Sequence, residues 1–263
     1  MPGSLDERIS SDRPITSGDK DRLGFSQVCE NLGKALLSRP LSDGLVISIE
    51  GAWGSGKSSL VNLLVNHLDQ TPGAAKTIRF DPWIITNRDT LIIELFGGII
   101  KAIEQIGGSG AAKERAKAVV DKIKGYASTI AKGGAPLARV AELFGVPYAG
   151  IAADLLKRGG EIAESVDMKL PLPDLKKNLS EDIKNLNHRL FVVIDDMDRL
   201  EPAEIVEIVR LVKSVADFHN IVYVLCLDRK VVSKAIKEFL KVEDGEKFLE
   251  KVIQVAFSIP RPE

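Results

Sequence analysis

Cysteine, histidine, net charge and long apolar runs are all in short supply in this chain, and each shortage removes a class of function. Two cysteines in 263 residues, Cys29 and Cys226, both in apolar surroundings, exclude a disulfide-stapled fold and a thiolate metal cage. They read as buried, reduced thiols of a cytoplasmic protein. The three histidines, His67, His188 and His219, are scattered and lack the spacing of metal ligands. The net charge is −1, so no global field draws the chain to DNA, RNA or an anionic membrane, and nucleic acid is not indicated as a partner. In "ELFGVPYAGIAADLL" only residues 143–153 are free of charge, 11 positions, against the roughly 18–20 needed for a transmembrane segment. The opening "MPGSLDERISSDRPITSGDK" is polar and charged, unlike a secretory leader.

What is present is ordinary for a folded α/β protein: 44% hydrophobic and 28% charged residues, enough chain for one large domain or one domain with an insertion. Residues 1–20 read as a flexible arm. Leu23, Val28, Leu32, Leu36 and Leu37 recur at helical spacing. "LVISIE" (45–50), "KTIRFDPW" (76–83), "HRLFVVIDDMD" (188–198), "NIVYVLCLDR" (220–229) and "VIQVAFSIP" (252–260) read as strands. Helical patterns lie between them, and Pro202 suits the first turn of one. Most of these strands are almost continuously apolar, which predicts a parallel sheet covered on both faces. Between 104 and 170, Gly-rich breaks separate Ala-, Lys- and Glu-rich segments, with Val119, Ile123, Tyr126 and Ile130 on one helical face. The expected organisation is a core of 21–103 and 171–263 interrupted by a helical insertion at 104–170, which is either a partner surface or a structural cap.

Between the first strand and its helix lies "GAWGSGKSS", in which Gly51, Gly56, Lys57 and Ser58 satisfy G-x-x-x-x-G-K-S/T. Glycines let the main chain curl so that several N–H groups converge on a phosphate. The helix that begins there adds its own unpaired N–H groups and dipole. Gly51, Trp53, Gly54, Ser55, Gly56, Lys57, Ser58 and Ser59 are therefore the expected nucleotide contacts. Lys57 supplies charge to the β- and γ-phosphates, and Ser58 a hydroxyl to Mg²⁺. A chance match is a poor competitor, because strand, loop and helix stand in the order that the mechanism demands.

A strand ending in a carboxylate beside such a loop can hold Mg²⁺, so Asp195 is the second expected metal residue. Asp196, next along, is the candidate to orient or deprotonate the attacking water. Lys57, Asp195 and Asp196 form the expected catalytic set. Asp198 is either a third acid of the site or a solvated strand-end residue. Asp228 and Arg229 end the strand expected beside the loop, so either is a candidate γ-phosphate sensor or half of a surface ion pair. Arg199 and Arg229 are candidates to stabilise transition-state charge, in their own site or a neighbour's. The guanine-reading N-K-x-D is absent and "DDMD" does not fit the GTPase D-x-x-G, which favours adenine. Trp53 is expected over the nucleotide or a partner, and Trp83 in the core.

The joint occurrence of several segments resembles the KAP family of P-loop ATPases, a branch related to the STAND and AAA+ groups. They are "DRLGFSQVCENLGKALLS", "GAWGSGKSSLVNLL" with its loop tryptophan, and "RFDPW", which has Asp81 where the family has Asn. "VVIDDMDRLEPAEIVEIVRLVKSVADFHNIVYVLCLDRKVV" and "FLEKVIQVAFSIP" complete the set. The resemblance spans most of 21–260. It implies an additional-strand, catalytic-acid (ASCE) P-loop NTPase sheet of order 5-1-4-3-2, ATP and Mg²⁺ as cofactors, and an insertion between Lys57 and Asp195. Many members carry membrane-spanning helices in that insertion. Here it is charged and amphipathic, which matches bacterial members associated with phage exclusion better than membrane-linked animal scaffolds. Relatives continue past the last strand into a helical lid and effector regions, whereas this chain stops at "SIPRPE". It is therefore a fragment, or its output lies in a homo-oligomer or effector partner. The expected activity is Mg²⁺-dependent ATP hydrolysis within a larger antiphage assembly. The alternatives are a slow or non-hydrolysing nucleotide-gated switch and, less favoured by the charge, a nucleic-acid translocase.

Overall fold

The apolar segments form five strands, β1 (Leu45–Glu50), β2 (Ala75–Phe80), β3 (Arg189–Ile194), β4 (Ile221–Leu227) and β5 (Val255–Ser258). They belong to a computed structural model that describes residues 14–38, 44–71, 75–84, 88–131 and 171–259. The strands make one sheet in the order β2-β3-β4-β1-β5, every adjacent pair parallel. Read from the other edge this is 5-1-4-3-2, the order that the family resemblance implies.

Alternation along the strands divides the core. Leu190, Val192, Ile194, Tyr223 and Leu225 face one layer of helices, while Phe191, Val193, Val222, Val224, Cys226, Ile47 and Ile49 face another. With both faces covered, β4 is buried at all seven positions, which is why it reads as an unbroken apolar run. Helices α1 (Phe25–Ser38) and α2 (Lys57–Asp69) cover the second face. The first is covered by α3 (Arg88–Ile106), α4 (Ala111–Ala131), α5 (Leu172–Lys184), α6 (Pro202–Arg210) and α7 (Arg229–Leu240), with the short α8 (Gly245–Glu250) leading to β5. Both cysteines are buried and free.

The start of the expected insertion belongs to this core. Val119, Ile123 and Tyr126 of α4 are buried, and Tyr126 meets Phe96 of α3 and Phe218 edge-on at centroid distances of 5.8 and 5.7 Å. Residues 132–170 lie outside the described residues, as do residues 1–13 of the expected arm. The described part of that arm is tied to α2. The Ile15 amide donates to Ser59 Oγ (3.2 Å), while Asn62 and Asn66 donate to the carbonyls of Ile15 and Thr16 (3.0 and 2.6 Å).

Trp83 is not a core residue. It stands on a single 3₁₀ turn, Pro82–Ile84, directly after the edge strand β2, and is 55% exposed. Pro82 is the buried member of this turn, which leaves Trp83 on its outer side. Among the described residues no helix is long and apolar enough to cross a membrane.

Candidate functional site

The chain leaves β1 at Glu50, whose register partner is Leu227 of β4, and the Gly51 amide still donates to the Leu227 carbonyl (3.2 Å). The main chain then turns out of the sheet and returns as α2. Gly56 precedes the helix with φ +89° and ψ 16°, and no side chain caps the N-terminus. A helix start normally needs a side-chain acceptor for its unpaired amides. Here those amides have no capping side chain, an arrangement suited to an anion. The loop is also closed to larger residues, because a Cβ on Gly51 would collide with the Ser55 hydroxyl and one on Gly56 would lie 2.9 Å from the Phe25 ring. Ser55 Oγ is itself buried without a hydrogen-bond partner, which is costly unless an incoming group supplies one.

Lys57 is only 8% exposed. Its ammonium donates to the carbonyls of Gly51 (3.0 Å) and Ala52 (3.3 Å) and pairs with Asp198 Oδ2 at 3.6 Å. Thus the acid weighed as either a site residue or a solvated one belongs to the site: the Asp198 side chain is 5% exposed, and its Oδ1 has no hydrogen-bond partner.

The geometry after β3 explains this. Ile194 is level with Leu225, so the next residues emerge at the carboxyl end of the sheet beside the loop. Asp196 adopts φ +56° and ψ 32°, opening a 3₁₀ turn over Met197–Arg199. Buried Met197 and Leu200 anchor that turn in the core, and Asp198 is carried to Lys57. Asp195 Oδ1 accepts the Asp196 amide (2.8 Å). Burial first, then the Asp195 carboxylate, pushes the thiol of the adjoining Cys226 well up. Asp196 Oδ1 pairs with Arg199 Nε at 3.0 Å. Its carboxyl is raised in pKa by burial first and by Asp195, Asp198 and Asp81, with Arg199 opposing. The Arg199 guanidinium lies 4.7 Å from the ring centre of Trp53, which is 69% exposed on the loop.

Two expected contacts have other engagements. The Ser59 hydroxyl accepts the Ile15 amide. Asp228 caps α7 through the Lys230 and Val231 amides (3.0 and 3.4 Å). Arg229 pairs with Glu50 (3.0 Å) and Glu250 (3.8 Å). Glu50, a buried acid that also accepts from the Ser48 hydroxyl (2.6 Å), went unnoticed in the sequence. Its signal is an acid closing an apolar strand directly ahead of the loop. A separate groove of about 590 Å³ opens between β2 and α3, lined by residues that include Arg79, Glu94 and Lys101; none of the loop residues reaches it.

A glycine loop on a bare helix start, faced by an acid from the turn after β3, is the form of a P-loop site, and residues 25–263 match the KAP family P-loop domain. The chain belongs to the KAP family. The Phage T7 exclusion protein of Escherichia coli (strain K12) is 32% identical over 262 residues, covering 96% of this KAP chain. The chain spans 35% of that relative's length. Among solved structures, the Aeropyrum pernix ORC2 protein in ADPNP–ADP complexes aligns over 92% of this chain and 48% of its own, at 14% identity and TM-score 0.40. The Aeropyrum pernix ORC1 protein in complex with DNA aligns over 96% and 47%, at 10% identity and TM-score 0.42. Both are distant likenesses.

The residues present suit a triphosphate with its cation. The uncapped start of α2 offers its amides, and Lys57 its charge. Among the described residues no three His, Cys, Asp or Glu side chains form a metal cage of their own, so a cation here would draw on Ser58, Asp195 and the phosphates together.

Proposed function

We propose that this KAP domain binds ATP with Mg²⁺ and hydrolyses its β–γ anhydride, as one module of a larger bacterial antiphage assembly. The observation that carries the reading is the buried Lys57 ammonium, held over the loop carbonyls at 3.0 and 3.3 Å and faced by the acids that follow β3. The defence role draws on the name of the relative from Escherichia coli, and adenine on the missing guanine motif.

In this mechanism the loop amides and Lys57 bind the phosphates and draw negative charge toward them. Ser58 and Asp195 would hold Mg²⁺, which neutralises charge on the β- and γ-oxygens when bound. Asp196 orients the attacking water and accepts its proton on a carboxylate oxygen. Its raised affinity for a proton suits that task better than an ordinary surface carboxylate. Arg199, paired with Asp196 Oδ1, keeps that side chain turned toward the loop.

Calorimetry with MgATP and a phosphate-release assay test the reading. Lys57→Ala is expected to abolish binding, and Asp196→Ala to retain binding while turnover falls by about 10²–10⁴-fold, the usual worth of a general base. Parental turnover in Asp196→Ala would remove that residue from its role. For the defence role, Lys57→Ala in the full-length protein should abolish protection in a plaque assay.

A second reading is a nucleotide-gated switch, in which ATP changes the assembly state of a homo-oligomer or effector complex with little hydrolysis. The Asp196–Arg199 pair at 3.0 Å favours it, because a base tied to a guanidinium is a weaker proton acceptor. Light scattering with ATP, ADP and a non-hydrolysable analogue separates the two readings.

A further inference from the structure

An ammonium has three N–H donors, and in this chain three acceptors surround Lys57: the carbonyls of Gly51 and Ala52 and the Asp198 carboxylate at 3.6 Å. Two of them are neutral and belong to the loop. The third is a charge from another strand, buried, with one oxygen that has no hydrogen-bond partner. A phosphate that takes up Lys57 must therefore compete with Asp198, and must also approach a carboxylate of its own sign in a poorly solvated place. We infer that Asp198 is a positioning residue for Lys57 that lowers the affinity of the loop for nucleoside triphosphates.

The inference rests on the nucleotide reading above and adds the element that limits binding. The turn after β3 carries Asp198 into this position. Its turn is anchored by Met197 and Leu200, and the flanking acids have their own contacts, Asp195 with the Asp196 amide and Asp196 with Arg199. Lys57 is the single ion-pair partner found for Asp198 among the described residues. In a shielded place such a pair interacts more strongly than on the surface, and one partner leaving it exposes the other to an unpaired burial. Phosphate oxygens can replace Asp198 as acceptors for Lys57, but they bring Asp198 only charge of its own sign. The cost of that exchange falls on nucleotide affinity. A residue of this kind keeps the dissociation constant high, so that occupancy follows the nucleotide concentration instead of saturating.

The test is calorimetric titration of the parental chain, Asp198→Asn and Asp198→Glu with ATP, once with Mg²⁺ and once with a chelator. Asp198→Asn keeps the shape and removes the charge. It is expected to bind ATP about tenfold more tightly in both conditions, which corresponds to ~1.4 kcal/mol. In steady-state kinetics KM falls by a similar factor while kcat changes less. Asp198→Glu restores the charge and returns affinity to within about threefold of the parental value; a merely structural role would not give this order. Unchanged or weaker binding by Asp198→Asn overturns the inference, and weakening confined to the Mg²⁺ arm would make Asp198 a cation ligand instead. Should Asp198→Asn fail to fold, Asp198→Ser replaces it in the same titrations. Failure of both to fold also overturns the inference, since the contact would then serve stability. A parental chain that binds no ATP defeats the nucleotide reading itself. One that binds ATP while Asp198→Asn gains nothing defeats this inference alone.

Discussion

Replacing Gly56 by alanine tests whether the loop depends on its backbone as described. Two costs arise. The first is conformational: φ is +89°, where a residue with a Cβ is strained by about 1–3 kcal/mol. The second is steric. The new Cβ would lie 2.9 Å from the Phe25 ring, well inside the ~3.5–4.0 Å of a favourable carbon contact, and Phe25 is buried and cannot swing aside freely. Overpacking of this kind costs about 1–3 kcal/mol. Alanine recovers about 0.4–1 kcal/mol by restricting the unfolded chain, which leaves a net loss of roughly 1–6 kcal/mol. For a chain of this size each kcal/mol shifts Tm by about 2–4 °C, so a fall of roughly 2–22 °C is expected. The two causes can be separated with Phe25→Leu, which shortens the ring position but leaves φ untouched. In the Gly56→Ala background it should return about 1–2 kcal/mol of the loss, read as a coupling energy from urea midpoints. Nucleotide affinity should stay poor in the double variant, because the amides remain displaced. A Gly56→Ala protein with the parental midpoint, or strictly additive effects of the two substitutions, would refute the reasoning.

Three further outcomes follow from the same geometry. In a Trp83→Phe background Trp53 is the sole tryptophan, and with Arg199 stacked at 4.7 Å its emission should change on ATP binding; constant emission at saturating ATP would contradict its place at the site. Arg229→Ala removes the guanidinium partner of buried Glu50 and should cost about 1–3 kcal/mol in urea denaturation, with Glu50→Gln in the same chain recovering part of it. Burial opposes ionisation of Asp21, but hydrogen bonds from Ser26, Phe25 and Leu23 outweigh it and hold its pKa at about 2. A lowered folded pKa gives stability that is complete above about pH 4 and lost as pH falls toward 2, so the acid limb of a urea-midpoint profile should flatten in Asp21→Asn.

The sheet could be read from the sequence because burial on both faces leaves a plain mark, the nearly uninterrupted apolar runs of β3 and β4. The phosphate loop was equally legible, since its chemistry needs glycines, lysine and serine at fixed spacing. Three features were hidden, the first two because each depends on where a short turn points. Asp198 reaches Lys57 because Asp196 adopts a left-handed conformation, which no spacing rule announces. Trp83 faces outward because its turn buries Pro82 instead. The docking of Ile15 and Thr16 on α2 is made by main-chain groups meeting Ser59, Asn62 and Asn66, so their side-chain types carried no sign of it.

The position of β5 has a consequence for how the molecule is made. The strand that launches the phosphate loop lies between β4 and β5, so both its neighbours come from the far end of the chain. The Val46 amide is met by Gln254 Oε1 (2.7 Å), 208 residues later, and the Glu50 carbonyl by the Ile259 amide (2.8 Å). At about 5–20 residues per second on the ribosome, β1 waits roughly 10–40 s for its last partner. Until that segment emerges, the root of the loop has an open flank, so a nascent chain gains its grip on nucleotide only as translation of these residues is completed.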